Sequence, residues 1–199
     1  MANPKHSQAN YVRRRDRSVD DDAWITAFLQ RAAVGSTATV VDGQPFINTN
    51  LFVYDQARDC IYIHTAQYGR TRSNFETGEA PRVCFSVMEM GRLLPADEAL
   101  EFSVEYAGVM VFGPGTVVQD ETEAHDALQQ LLDKYAPHLA AGRDYRPPVA
   151  EEIARTAVMR IDIESWSGKK KEVDEFPGAY WYEEQPVLAS VRERTALLK

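Results

Sequence analysis

Cysteine is nearly absent: Cys60 and Cys84 are the only two in 199 residues. A secreted disulfide framework needs more, so both read as reduced thiols inside strands, and the expected compartment is the cytoplasm. No apolar run reaches the roughly 20 residues of a membrane-spanning helix, and the polar N-terminus lacks the layout of a signal peptide. Positive charge is scarce too. Lys and Arg number 22 against 30 acids, a formal charge of −8, which argues against a general nucleic-acid or anionic-membrane binder. The basic cluster Arg13-Arg14-Arg15-Asp16-Arg17 is nearly cancelled by Asp20-Asp21-Asp22 and reads as a solvated tail. The four histidines, His6, His64, His125 and His138, have no metal-ligand spacing with each other or with the cysteines. Gly113-Pro114-Gly115 lacks the third glycine and following helix of a dinucleotide fingerprint, and there is neither a Walker loop nor a serine in a nucleophile elbow.

What remains is ordinary globular composition, 44% hydrophobic and 26% charged, enough for one core. The expected division is a flexible N-terminal tail over 1–17, one domain over 18–171 and a C-terminal tail or dimer-packing extension over 172–199. Ser18 with Asp21 resembles a capping box opening a helix, with Trp24, Phe28 and Ala32 on one side and an end near Gly35. The hydrophobic period then changes to two. Strands are expected over 37–41, 45–54, 60–64, 82–90, 101–112, 116–119 and 157–163, and Asp42-Gly43 is a strong hairpin turn. Asp120 with Glu123 caps a second long helix that Pro137 stops, and Pro186 opens a further short one. The expected fold class is mainly β with flanking helices. Six or seven short strands with helices outside suit an antiparallel barrel closed on itself.

One stretch carries the clearest chemistry. Cys60–Thr65 alternates as a strand, Gly69 turns the chain, and Arg70-Thr71-Arg72-Ser73-Asn74-Phe75 continues as a basic, helix-like segment. Hydroxyls, free backbone N–H groups and an arginine fork at a strand-to-helix turn can hold an anion such as phosphate. In the preceding strand, Ile47, Thr49, Leu51 and Val53 fall on one face, expected to be barrel interior. Phe46, Asn48, Asn50, Phe52 and Tyr54 fall on the other. A face of amides and aromatics suits a flat heteroaromatic ligand. A ring bearing a phosphate describes FMN or pyridoxal phosphate. The lysine that the latter needs would come from Lys134 or Lys169–Lys171, none near this strand in sequence.

Several segments in order resemble one family. Ile61-Tyr62-Ile63-His64-Thr65 with Gly69-Arg70, Val83-Cys84-Phe85-Ser86-Val87, Tyr106–Gly113, and Arg160-Ile161-Asp162-Ile163 with Trp166-Ser167-Gly168-Lys169 are similar to the pyridoxamine 5'-phosphate oxidase-like, FMN-binding split-barrel superfamily, nearest its nitroimidazole-resistance-type branch. The resemblance spans roughly 18–171. It implies a six- to seven-stranded antiparallel split barrel and a homodimer with FMN at the subunit interface. Asn48, Thr49 and Asn50 would line the flavin ring, and His64 and Thr65 would end the adjoining strand. Gly69, Arg70 and Thr71 would hold the phosphate with Arg72 or Asn74 in support, while Trp166 and Lys169 would approach from the last strand. The implied activity is an FMN-dependent oxidoreductase acting on a small molecule, nitroreductase-like, with His64 as the candidate proton donor. The alternatives are a flavin- or haem-binding sensor without turnover and a deazaflavin-dependent reductase. The pattern departs from pyridoxamine phosphate oxidases proper. Strand 45–54 has no arginine–lysine pair, and the C-terminal region reads Tyr180-Trp181-Tyr182-Glu183-Glu184 where they carry arginine and histidine.

Overall fold

The structure is a computed structural model that describes residues 12–78 and 80–185. His6, most of the N-terminal tail and the helix expected from Pro186 lie outside the described residues. Nine strands are present among them: β1 (Ser18–Val19), β2 (Gly35–Val41), β3 (Gln44–Asn50), β4 (Phe52–Asp55), β5 (Cys60–Ala66), β6 (Arg82–Leu94), β7 (Ser103–Val117), β8 (Thr156–Asp162) and β9 (Ser165–Lys171). Four helices accompany them: α1 (Asp22–Arg31), α2 (Arg70–Phe75), α3 (Glu121–Tyr135) and α4 (Ala150–Ile153). Every pairing is antiparallel, and the path runs β3-β2-β6-β7-β8-β5-β4, with β9 joining β7 to β1. The path ends at β3 on one side and β4 on the other, so the barrel is split, as the family resemblance implies, where the strand count alone suited a closed one.

The split follows from a break at Leu51. Residues 45–54 form two strands, one paired to β2 and the other to β5. The end of α3 holds the break open by taking up the backbone polar groups there. The N–H of Phe52 donates to the Tyr135 hydroxyl at 3.0 Å, and Lys134 Nζ donates to the Phe52 carbonyl at 3.0 Å. The Tyr135 hydroxyl in turn reaches the Ala33 carbonyl at 2.6 Å. These bonds replace ladder partners that a continuous strand would have kept.

The break also reverses the expected faces. Ile47 is 66% exposed and Leu51 45%, so the aliphatic side of β3 points outward. Phe52 and Tyr54 enter the main core instead, with Ile61, Ile63, Phe85, Val111, Met159, Ile161 and the α1 residues Ile25, Phe28 and Leu29. Cys60 and Tyr62, on the opposite side of β5, form a second cluster under α3 with Val53, Ala127 and Leu131. Tyr62 donates to Glu123 at 2.7 Å, as does Arg160 at 2.8 Å, which pins α3 to β5 and β8.

Local signals worked where the cause is local. Asp42 and Gly43 both take positive φ, as a two-residue hairpin turn requires. Asp120 caps α3 by accepting from Glu123 N at 2.8 Å. At α1 the cap is Asp21, which accepts from Ala23 N at 2.9 Å, while Ser18 belongs to β1. β7 runs unbroken through Gly113-Pro114-Gly115, pairing with β9 over Tyr106–Phe112 and with β8 over Gly115–Val117. β9, unforeseen as a strand, fills the remaining edge of β7. Among the described residues no helix is long and apolar enough to cross a membrane.

Candidate functional site

The side chains of β3, the end of β5 and α2 meet in a lane of polar contacts. Asn50 Nδ2 lies 3.4 Å from the His64 carbonyl, and Asn48 Nδ2 donates to Asn50 Oδ1 at 2.8 Å and to Thr71 Oγ1 at 3.0 Å. On the first strand beside it, Thr39 Oγ1 accepts from the buried Asn74 at 2.7 Å. These bonds tie α2 to both β2 and β3. Gly69 precedes α2 at φ 145, a conformation L side chains rarely adopt, and no side chain caps the helix start.

Arg70 is exposed, with its guanidinium 4.7 Å from the centre of the Phe46 ring. Among the described residues no carboxylate pairs with it. Arg72 is committed elsewhere, to Glu76 at 2.9 Å and to the Gln67 carbonyl at 2.9 Å, where it braces the loop before α2. Thr65 is half-buried at the end of β5.

Two buried atoms on the flanking strands β2 and β5 are orphaned. His64 Nδ1 and Thr37 Oγ1 are buried with no hydrogen-bond partner. Thr37 is 2% exposed and pairs with Asn48 across the β2–β3 ladder. Burial alone lowers the His64 pKa below its ordinary value, so its imidazole is neutral at neutral pH. Buried polar groups rarely go unpaired, so both atoms are left open to a partner. A neutral imidazole offers one donor and one acceptor, and the paired amides keep free valences. Donors and acceptors of this kind, ending at an unpaired arginine, fit a flat polar ring with a phosphate.

Asn48, Asn50 and Thr71 are therefore joined by side-chain hydrogen bonds, with Asn74 bonded to Thr39. Gly69 and Arg70 adjoin them at the start of α2, and His64 is tied in through its carbonyl, with Thr65 next to it on β5. Thr49 is not among them: it faces outward and shares a 2.7 Å hydrogen bond with Ser36. Trp166 lies in the main core, its indole N–H donating to Asp22 at 2.8 Å. Lys169 sits on the outer sheet face, 5.3 Å from the centre of the Tyr106 ring. Thr37 and Thr39 were missed as site residues, while Phe46 was expected on the ligand face. The available signal was the hydroxyl at two inward positions of a strand whose neighbours bury apolar groups.

Other reactive groups are held out of play. Burial pushes the Cys60 thiol up to about 12, so it stays protonated. Burial lowers Lys134 to about 8, and its ammonium is spent on the Phe52 and Leu29 carbonyls. Among the described residues no group of three or more His, Cys, Asp or Glu side chains could hold a metal.

An open antiparallel barrel with a polar lane along one edge strand defines the class as a split barrel with helices outside. The sequence profile described as pyridoxamine 5'-phosphate oxidase matches residues 21–170, and the chain belongs to that family. No curated relative matches it. Among solved structures, it is similar to the flavocytochrome Anf3 of Azotobacter vinelandii at 24% identity and TM-score 0.75, covering 90% of this chain and 87% of that one. A FAD and haem binding protein of Mycobacterium smegmatis aligns at 22% identity and TM-score 0.69, over 80% of this chain and 76% of that one. A candidate 5-nitroimidazole antibiotic resistance protein of Bacteroides thetaiotaomicron aligns at 17% and 0.62, over 78% and 90%.

Proposed function

We propose that the chain binds FMN and acts as an FMN-dependent oxidoreductase on a small molecule. The observation that carries this reading is the lane itself: orphaned His64 and Thr37, paired amides of Asn48 and Asn50, and an unpaired Arg70 at its end. Arg70, Thr71 and the turn at Gly69 would take the phosphate, while Asn48, Asn50 and His64 would meet the ring's polar edge. Solved relatives named as flavin-binding support a flavin over pyridoxal phosphate. So does the engagement of Lys134 with main-chain carbonyls on α3's side of the barrel.

A bound flavin supplies one- and two-electron transfer; the protein supplies position, hydrogen bonds and exclusion of water. His64, neutral and half-buried, would hold a proton at the ring's edge. A homodimer would supply the water exclusion. The outer sheet face exposes Val40, Ile47, Met88 and Met110, which the pairing register places on one side of β2, β3, β6 and β7. A contiguous apolar face of this kind marks an interface.

The absorbance spectrum of the purified protein, with identification of the chromophore released by heating, tests the cofactor. A flavin spectrum supports the reading, while a Soret band would favour haem with His64 as the candidate axial ligand. Steady-state oxidation of NAD(P)H then separates an enzyme, which turns over, from a sensor, which reacts at most once.

A further inference from the structure

On the outer face of the sheet lies a groove of about 470 Å³ that none of the lane's residues lines. Its floor is Met88, Met110 and Phe112. Gly108, directly across from Met88 in the β6–β7 ladder, leaves the trough between them. Its rim is basic: Arg13 and Arg14 come from the segment preceding β1, and Lys169 from β9. Among the described residues no carboxylate lines the groove, in a chain whose net charge is −8. Arg14 is neutralised by Asp16, through a forked contact of 2.8 and 2.6 Å. Arg13 has no ion-pair partner among the described residues, and Lys169 has only the Tyr106 ring.

Two uncompensated cations above an apolar, sulfur-rich floor have a complementary ligand. Thioethers pack favourably against aromatic rings, and a guanidinium and an ammonium attract a carboxylate or phosphate. We propose that this groove binds a small organic anion, a ring-bearing carboxylate or phosphate whose ring lies on Met88, Met110 and Phe112 and whose head lies between Arg13 and Lys169. The groove is a site separate from the polar lane and does not depend on the flavin reading. If both hold, it is the place for a substrate anion on the face that a second copy would cover.

Calorimetric titration of the full chain with naphthoate, naphthyl phosphate and neutral naphthamide tests this. Naphthoate or naphthyl phosphate should bind once per chain, and whichever binds tighter names the head group. Naphthamide should bind about tenfold more weakly, the worth of a charge-assisted hydrogen bond. Arg13→Gln and Lys169→Gln should each weaken the anion severalfold and leave naphthamide unchanged, with melting temperatures as in the parent. Equal binding of anion and amide, indifference of both variants, or no binding at all would overturn the proposal. So would displacement of the anion by FMN, because the groove would then be part of the flavin site. Anion binding in a chain that takes no flavin would leave this site standing and remove the flavin reading alone.

Discussion

Asn48 Nδ2 donates to Thr71 Oγ1 over 3.0 Å, and this bond joins the edge strand β3 to the short helix α2. In the proposed site the strand supplies the amides for the ring and the helix the arginine for the phosphate, so the bond sets the spacing between its two halves. Asn48→Ala should cost the fold only about 1 kcal/mol, because the bond is part-buried and Thr71 can rotate toward water. Its effect on flavin affinity should be larger, since both Asn50 and Thr71 lose their fixed partner. Paired melting and flavin titrations of this variant measure the two effects; equal small losses would mean that the bond is structural only.

Arg70→Ala separates the phosphate corner from the fold. The guanidinium rests on Phe46 and pairs with no described carboxylate, so melting should change by less than about 1 kcal/mol. Flavin binding should weaken by about 1.5–3 kcal/mol, the range for a hydrogen-bonded charge. Riboflavin, which lacks the phosphate, should bind parent and variant alike. An equal loss for riboflavin would place Arg70 at the ring instead.

His64 gives a pH signature. Burial lowers its folded pKa below the ordinary 6.5, so the unfolded chain takes up a proton before the folded one does. Its contribution to stability is full above 6.5 and is lost as pH falls from there through the folded value. An NMR titration of the imidazole should give a midpoint below 6.5 in the flavin-free protein, and a midpoint at or above it would contradict the burial argument. The proton-holding role is tested separately: His64→Ala with normal flavin binding and full turnover would remove it.

The C-terminal segment is fastened by a second charged clasp. Glu105 accepts from Arg92 Nε and Nη2, each at 2.7 Å, and from Val173 N at 3.0 Å, while Arg92 Nη2 also donates to the Val173 carbonyl at 2.6 Å. Led by the Arg92 hydrogen bond, these contacts hold the carboxyl at about 2 against an ordinary 4.5. A lowered carboxylate stabilises fully above 4.5 and loses that contribution as pH falls through about 2. Glu105→Gln should destabilise by at most about 3 kcal/mol at neutral pH, the lower bound for a fully buried pair, since Arg92 keeps contact with water. Urea melts should show the gap between variant and parent narrowing at about pH 3. A gap that stays constant with pH would mean that packing, and not charge, fastens the segment.

The parts of this architecture that could be read in the sequence are those whose causes are local. The Asp42-Gly43 turn, the Asp120 cap and the alternation of Ala157, Met159 and Ile161 each sit within a few residues of what they determine. The same holds for the strand–glycine–arginine run from Cys60 to Phe75. The break at Leu51 was illegible because Lys134 and Tyr135, some eighty residues away, satisfy its backbone. With it went the face of β3: Ile47 points outward because β3 pairs with β2 and not with β5. β9 gave no signal, since Ser167, Gly168 and three lysines do not alternate as a buried strand does, and its partners β7 and β1 fix it. Trp166, matched to the family as a cofactor contact, is drawn into the core by Asp22 at the start of α1.

The central claim is that the lane from His64 to Arg70 holds a flavin. The most direct measurement is a titration of the purified full chain, freed of any chromophore, into FMN and into FAD, followed by quenching of flavin fluorescence. The account predicts saturable binding of FMN at one per chain, weakened by Arg70→Ala and by Asn48→Ala. A titration in which neither flavin is quenched would contradict it, and one in which FAD alone binds would keep the lane but replace the cofactor.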